Sequence, residues 1–165
     1  MFCGLLCSLR LEGVMRQAIH QLKYQNIRAL VVPLAKLLQD YLRTNAVLAD
    51  ILVPVPMHQK RLRERGYNQS GLLARELGKL TNLPVVDDCL IRQRHTPPQA
   101  RTSTVDERRS NIADAFVCRD QRLRDKQVLL IDDVATSGNT LDACAAALKA
   151  SGATSVWGLV MAREI

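Results

Sequence analysis

The stretch Val128-Leu-Leu-Ile-Asp-Asp-Val-Ala-Thr-Ser-Gly-Asn-Thr140 decides how the rest of the chain is read. Four consecutive apolar residues predict a buried central strand, drawn over Gln127 to Val134. Asp132 and Asp133 follow, and burying two unpaired carboxylates would be very costly, so the strand must be leaving the core there. Ala135, Thr136, Ser137, Gly138, Asn139 and Thr140 are small or polar and lead into a helix with Leu141, Cys144, Ala145 and Leu148 on one stripe. The amides of such a bend, its hydroxyls and the positive end of the helix converge on one spot that suits a phosphate dianion. The carboxylates just before it can accept hydrogen bonds from vicinal sugar hydroxyls, and the combination reads as a pocket for a ribose 5-phosphate. Each feature alone is ordinary: two acids can end a strand, and Ser137 or Asn139 can cap a helix. The thirteen-residue order is far more specific, and neither a Walker nor a Rossmann glycine pattern occurs.

Working outward, Ser155 to Met161 reads as a closing strand after a helix that Gly152 ends. Upstream, apolar positions recur at helical spacing from Glu12 to Arg43 and predict two helices, the second opened by Pro33. Asp50-Ile-Leu-Val-Pro-Val-Pro56 predicts a buried strand, Met57 to Gln69 a loop, and Leu72, Leu73, Leu77 and Leu80 the face of a helix. Leu83 to Ile91 is expected to be a strand and Arg92 to Thr104, with Pro97-Pro98, a mobile loop. Thr104-Val-Asp-Glu107 is a capping-box pattern for a short helix through Asn111, and Ala113 to Cys118 is expected at the sheet periphery. The alternation of strands and helices predicts an α/β fold: a mostly parallel twisted sheet flanked by helices. The expected division is an N-terminal helical segment, a hood or appendage, over 1–45, and an α/β domain over 46–165. Ligands of such sheets sit beyond the carboxyl ends of the strands, and the loops after Pro56 and Asp133 both leave from that edge.

The composition of the 165 residues, 47% hydrophobic and 24% charged, excludes disordered and collagen-like readings. The apolar runs are too short to span a bilayer, so no membrane insertion is expected. The N-terminus has no basic region, and Arg10 and Glu12 interrupt its apolar stretch, which predicts a cytoplasmic protein. Five scattered cysteines predict free thiols, and Cys3 with Cys7 fall short of the four ligands of a structural zinc. Lys and Arg outnumber Asp and Glu by 23 to 16, and His58 to Asn111 carries +5 of the net +7. This region invites a polyanion, single-stranded nucleic acid included, or is a solvated face; at 4% aromatic residues a base-stacking platform is poorly supplied.

The thirteen-residue stretch resembles the phosphoribosyl pyrophosphate (PRPP) signature of type I phosphoribosyltransferases. Together with Leu22-Lys-Tyr24, Val53-Pro-Val-Pro56, Arg61, Arg65-Gly-Tyr-Asn-Gln69, Arg109-Ser-Asn111 and Ala115-Phe116, it makes the chain from Glu12 onward similar to the competence-associated ComF family. That family commonly carries an N-terminal zinc ribbon of paired C-x2-C motifs, which is lacking here; Cys3 and Cys7 match neither its spacing nor its number. The resemblance implies that Asp132 and Asp133 hold the ribose hydroxyls as the catalytic pair, and that Ala135, Thr136, Ser137, Gly138, Asn139 and Thr140 cradle the 5-phosphate. It places pyrophosphate at Pro56, His58, Lys60, Arg61, Arg65 and Gly66, and a closing lid at Gln99, Arg101 and Arg108. The implied cofactor is Mg2+, bound mainly through PRPP, with Asp132 and Asp133 the side chains able to share it. The implied activity is transfer of the phosphoribosyl group to a nitrogen nucleophile of unknown identity. Thr136 stands where purine-salvage relatives place a general-base carboxylate, which counts against a 6-oxopurine acceptor. The alternative is a non-catalytic PRPP-binding protein, or an accessory of single-stranded DNA uptake with DNA or uptake proteins as partners.

Overall fold

The computed structural model describes residues 2–93 and 115–164. In chain order the elements are β1 (Gly4–Arg10), α1 (Gly13–Tyr24), α2 (Val31–Thr44), β2 (Ile51–Pro54), α3 (Gln59–Arg65), α4 (Gln69–Thr81), β3 (Leu90–Arg92), β4 (Phe116–Cys118), β5 (Gln127–Ala135), α5 (Asn139–Ala150) and β6 (Ser155–Arg163). Four of the strands form one parallel sheet in the order β1-β6-β5-β2. Its register sets Val53 beside Leu130 and Ile131 beside Leu159.

Side chains alternate across a strand, so β5 feeds two separate cores. Val128 and Leu130 face α5, where Leu141, Cys144 and Leu148 are buried. Leu129 and Ile131 face the other layer, among Ile19 and Leu22 of α1, Leu34 and Leu38 of α2, and Leu73 and Leu77 of α4. Each such aliphatic side chain contributes about 1.5–3 kcal/mol when fully buried, and burial on both faces is what an uninterrupted apolar run in a parallel strand requires. The α/β expectation holds, with helices on both faces of a parallel sheet. Among the described residues no helix is long and apolar enough to cross a membrane.

Several expectations need correction. Residues 4–10, inside the stretch expected to be a helical segment, form an edge strand parallel to β6. The helices α1 and α2 share one apolar cluster with the sheet and α4. Leu83 to Ile91 is not one strand: Val85 makes a single bridge to Leu52, and the chain pairs again only at β3. Its partner β4 makes a separate antiparallel ribbon, off the main sheet, packed on α5 through Phe116. The segment after Met57, expected to be a loop, contains α3, which His58 caps by accepting from the Lys60 amide through Nδ1. The expected lid residues Gln99, Arg101 and Arg108, and the capping-box helix, lie outside the described residues.

Candidate active site

The carboxyl ends of β2 and β5 open onto a crevice of about 170 Å3, roofed by the end of α1 and the start of α4. Strand β5 continues through Ala135, so both acids lie within it and point to opposite faces. Both nonetheless line the crevice.

Asp132 is half-buried. Its Oδ1 accepts from Ser70 Oγ at 2.8 Å and from the Asp133 amide at 2.9 Å. Burial, and then the charge of Asp133, pushes its carboxyl well above the usual carboxylate range, against the hydrogen bonds from Ser70 and the Asp133 amide. Asp133 is 4% exposed. Its Oδ1 accepts from the Val134 amide at 2.7 Å, while Oδ2 has no hydrogen-bond partner among the described residues. The nearest counter-charge is Lys23 Nζ at the end of α1, 3.2 Å from Oδ2 but outside hydrogen-bonding geometry. A buried, charged, unsatisfied oxygen costs stability unless something donates to it.

Of the residues assigned to pyrophosphate, Pro56, Arg61 and Arg65 line the crevice, whereas His58, Lys60 and Gly66 do not. His58 caps α3 at its start, and Gly66, at φ +83°, ends it in the left-handed conformation. Of the six residues assigned to the 5-phosphate, Thr140 lines the crevice. Ala135 is buried at the strand end, and Thr136 and Ser137 are exposed. Gly138, at φ +81°, turns the chain into α5, and Ser137 Oγ accepts from the Asn139 amide at 3.4 Å.

Sequence reasoning missed four residues that build the site. Asn68 donates to the Val55 carbonyl at 3.0 Å, tying the loop after β2 to α4, and caps that helix through the Ser70 amide. Ser70 anchors Asp132; Lys23 and Tyr24 form the far wall. Asn68-x-Ser70 ahead of an apolar run is a readable helix start. Nothing local reveals that Lys23 reaches Asp133. The cysteines are free: Cys89 and Cys144 are buried, with burial pushing the Cys89 thiol up to about 12, and the Cys7 thiol donates to the Leu9 carbonyl.

Asp132 and Asp133, the two acids of the crevice, are the side chains that could share Mg2+ held mainly by substrate phosphates. The described residues contain no cluster of three or more His, Cys, Asp and Glu that would make a protein cage.

A parallel sheet carrying an acid pair and a small-residue turn into a helix defines the class of type I phosphoribosyltransferase-like domains. The phosphoribosyl transferase domain matches residues 20–163. Competence protein F of Haemophilus influenzae is 34% identical over 153 residues, covering 87% of this chain and 66% of its own length. The DNA utilization protein YhgH of Escherichia coli K12 is 31% identical over 143 residues, 84% of this chain and 62% of its own. The chain belongs to the phosphoribosyl transferase domain family and, with these relatives, to its ComF branch. It spans less than two thirds of either relative's length. Among solved structures, glutamine PRPP amidotransferase from B. subtilis, complexed with ADP and GMP, has the same fold at a TM-score of 0.53 and 19% identity, over 79% of this chain and 26% of that one.

Proposed function

We propose that the protein binds PRPP with Mg2+ and transfers its phosphoribosyl group to a nitrogen nucleophile. The observation that carries this reading is Asp133 Oδ2, buried and without a hydrogen-bond donor, beside Asp132 in a crevice edged by Arg61 and Arg65. A sugar hydroxyl would donate to that oxygen, and the second hydroxyl to Asp132, whose remaining oxygen is not used by Ser70. Arg61 and Arg65 would hold the leaving pyrophosphate by charge-assisted hydrogen bonds. In the transfer, the nitrogen lone pair forms a bond to C1 as the C1–O bond breaks and pyrophosphate departs with the electron pair. The sugar ring gains positive charge as that bond lengthens, and the Asp133 carboxylate is placed to stabilise it. Bound Mg2+ would neutralise charge on the pyrophosphate oxygens. No carboxylate stands at Thr136 to take the proton released by the nitrogen, so water or the acceptor itself would take it.

Thermal denaturation with PRPP and Mg2+, followed by assay of pyrophosphate release, tests the reading. At 100 times Kd, stabilisation is about 2.7 kcal/mol, or roughly 5–10 °C for a domain of this size. Asp133→Asn is expected to abolish the shift while preserving the circular dichroism spectrum. No shift, or one that survives this substitution, would refute the proposal. The names of the relatives, a competence protein and a DNA utilization protein, favour a second reading: a PRPP-binding or single-stranded DNA-uptake accessory without turnover. A thermal shift with no pyrophosphate released under any acceptor would select it.

A further inference from the structure

Beside the crevice lies a second, larger cleft of about 510 Å3, between the end of α1 and the Arg61, Glu64 and Arg65 side of α3. The two share Lys23, Tyr24, Arg61 and Arg65, so they form one continuous groove. The crevice alone is below the ~300–1,000 Å3 usual for small-molecule sites, whereas the cleft falls within it.

The lining is specific in two respects. It is cationic: Lys23, Arg61 and Arg65 face a single acid, Glu64. Among the described residues no carboxylate pairs with Arg61, Arg65 or the neighbouring Arg28; the ion pairs formed by arginine elsewhere involve Arg16, Arg43, Arg75 and Arg122. The lining also carries flat surfaces at fixed positions. Tyr24 is 67% exposed, with the Arg65 guanidinium 5.3 Å and the tilted His20 ring 4.9 Å from its ring centroid. Tyr67 is buried, its hydroxyl donating to the Leu22 carbonyl and its ring lying under Arg28 at 4.5 Å. Cations over rings that lack a carboxylate partner suit an anion, and an exposed tyrosine beside them suits a planar ring.

From this we infer that the cleft binds a nucleotide-type ligand, its base stacked on Tyr24 and its phosphate on Arg61 and Arg65. The site shares Arg61 and Arg65 with the place proposed for pyrophosphate, so this ligand and PRPP would compete there; as a binding site it stands without the phosphoribosyl reading. Glu64 would lie against the less charged part of such a ligand. Lys23, whose ammonium is 3.2 Å from Asp133 Oδ2, marks the junction with the sugar pocket.

Calorimetry with deoxyadenosine 3′-monophosphate tests the inference, because this probe lacks the 5-phosphate and vicinal hydroxyls that the crevice would hold. Binding is expected to weaken about ten-fold or more with deoxyadenosine, in which the anion is missing. It should weaken similarly in Tyr24→Ala and recover in Tyr24→Phe. Asp133→Asn should leave it within about two-fold while abolishing the PRPP-induced thermal shift, so the two readings fail separately. Equal affinity for deoxyadenosine, indifference to Tyr24→Ala, or no binding by the wild-type chain would overturn the inference. Displacement of the probe by inorganic pyrophosphate with no dependence on Tyr24 would do the same, marking a bare anion site. A short single strand ending in the same 3′-phosphate separates two sources of this chemistry: equal affinity marks a strand terminus and a ten-fold loss a free nucleotide, each upholding the site.

Discussion

Replacing Lys23 with methionine keeps most of the side chain's length, removes its charge and leaves Asp133 buried with no cation against it. The Asp133 side chain is 5% exposed and that of Lys23 23%. Removing one partner of a fully buried pair costs about 3–5 kcal/mol. Water still reaches the Lys23 ammonium, so the expected cost is lower, about 2 kcal/mol, or a fall in Tm of roughly 4–8 °C. Asp133→Asn should cost less, because the ammonium it strands is the better solvated partner. Removing both charges together eliminates the stranded carboxylate, so the double variant should be more stable than the sum of the single losses by about 1 kcal/mol or more. Urea denaturation of the four proteins at neutral pH measures all of these. A Lys23→Met protein within about 0.5 kcal/mol of wild type, or strictly additive single losses, would show that the pair carries no coupling and that the buried oxygen is satisfied otherwise.

Asp132 gives a prediction in pH. Burial and the Asp133 charge push it up to about 8, so between about pH 4, the ordinary carboxylate value, and that value the folded chain holds a proton that the unfolded chain has lost. Stability should therefore fall as pH rises through this window and flatten above it, with Asp132→Asn removing the slope; a rise through the window contradicts the assignment. Gly78→Ala would set a methyl 2.6 Å from Val85 Cγ2 and 2.9 Å from the Leu83 carbonyl oxygen. A cost of about 1–3 kcal/mol is expected, outweighing the helix-propensity gain, and calorimetric melting would expose a neutral or stabilising effect. Tyr67→Phe removes the buried bond to the Leu22 carbonyl, for a loss of about 1 kcal/mol readable in urea, and an unchanged midpoint would place that hydroxyl outside the fold's energetics.

What the sequence made readable follows from how local each signal is. Strand β5 and the turn into α5 were legible because every residue from Val128 to Thr140 carries the same message: apolar where both faces are covered, acidic at the crevice, small at the bend. Strand β1 was not. Gly4 to Arg10 has no sustained alternation, and its strand character comes from pairing with residues far along the chain. The stretch after Leu83 read as continuous because its β-branched and apolar residues are contiguous, yet Asp87 and Asp88 break it before β3, and Asp88 is held by Arg122. In the site, the arginines were legible by charge, but the helical turn that aims Arg61 and Arg65 inward and leaves Lys60 outside was hidden in a run of similar residues. Lys23 and Ser70 were invisible as partners of the acids because each meets its carboxylate only once the helices pack.

Among the described residues β6 is the sole neighbour of β1 and one of two neighbours of β5. During synthesis Gly4–Arg10 emerges well before its partner Ser155–Arg163, and the ends of a very long loop must then be brought together. Until that moment Leu5, Leu6 and Leu9 sit on an unpaired edge open to other chains, so aggregation should be most acute in products truncated before Ser155. Such a truncation leaves the sheet with one of its three strand pairings, β2 with β5, and opens the edge of β5 that β6 otherwise pairs.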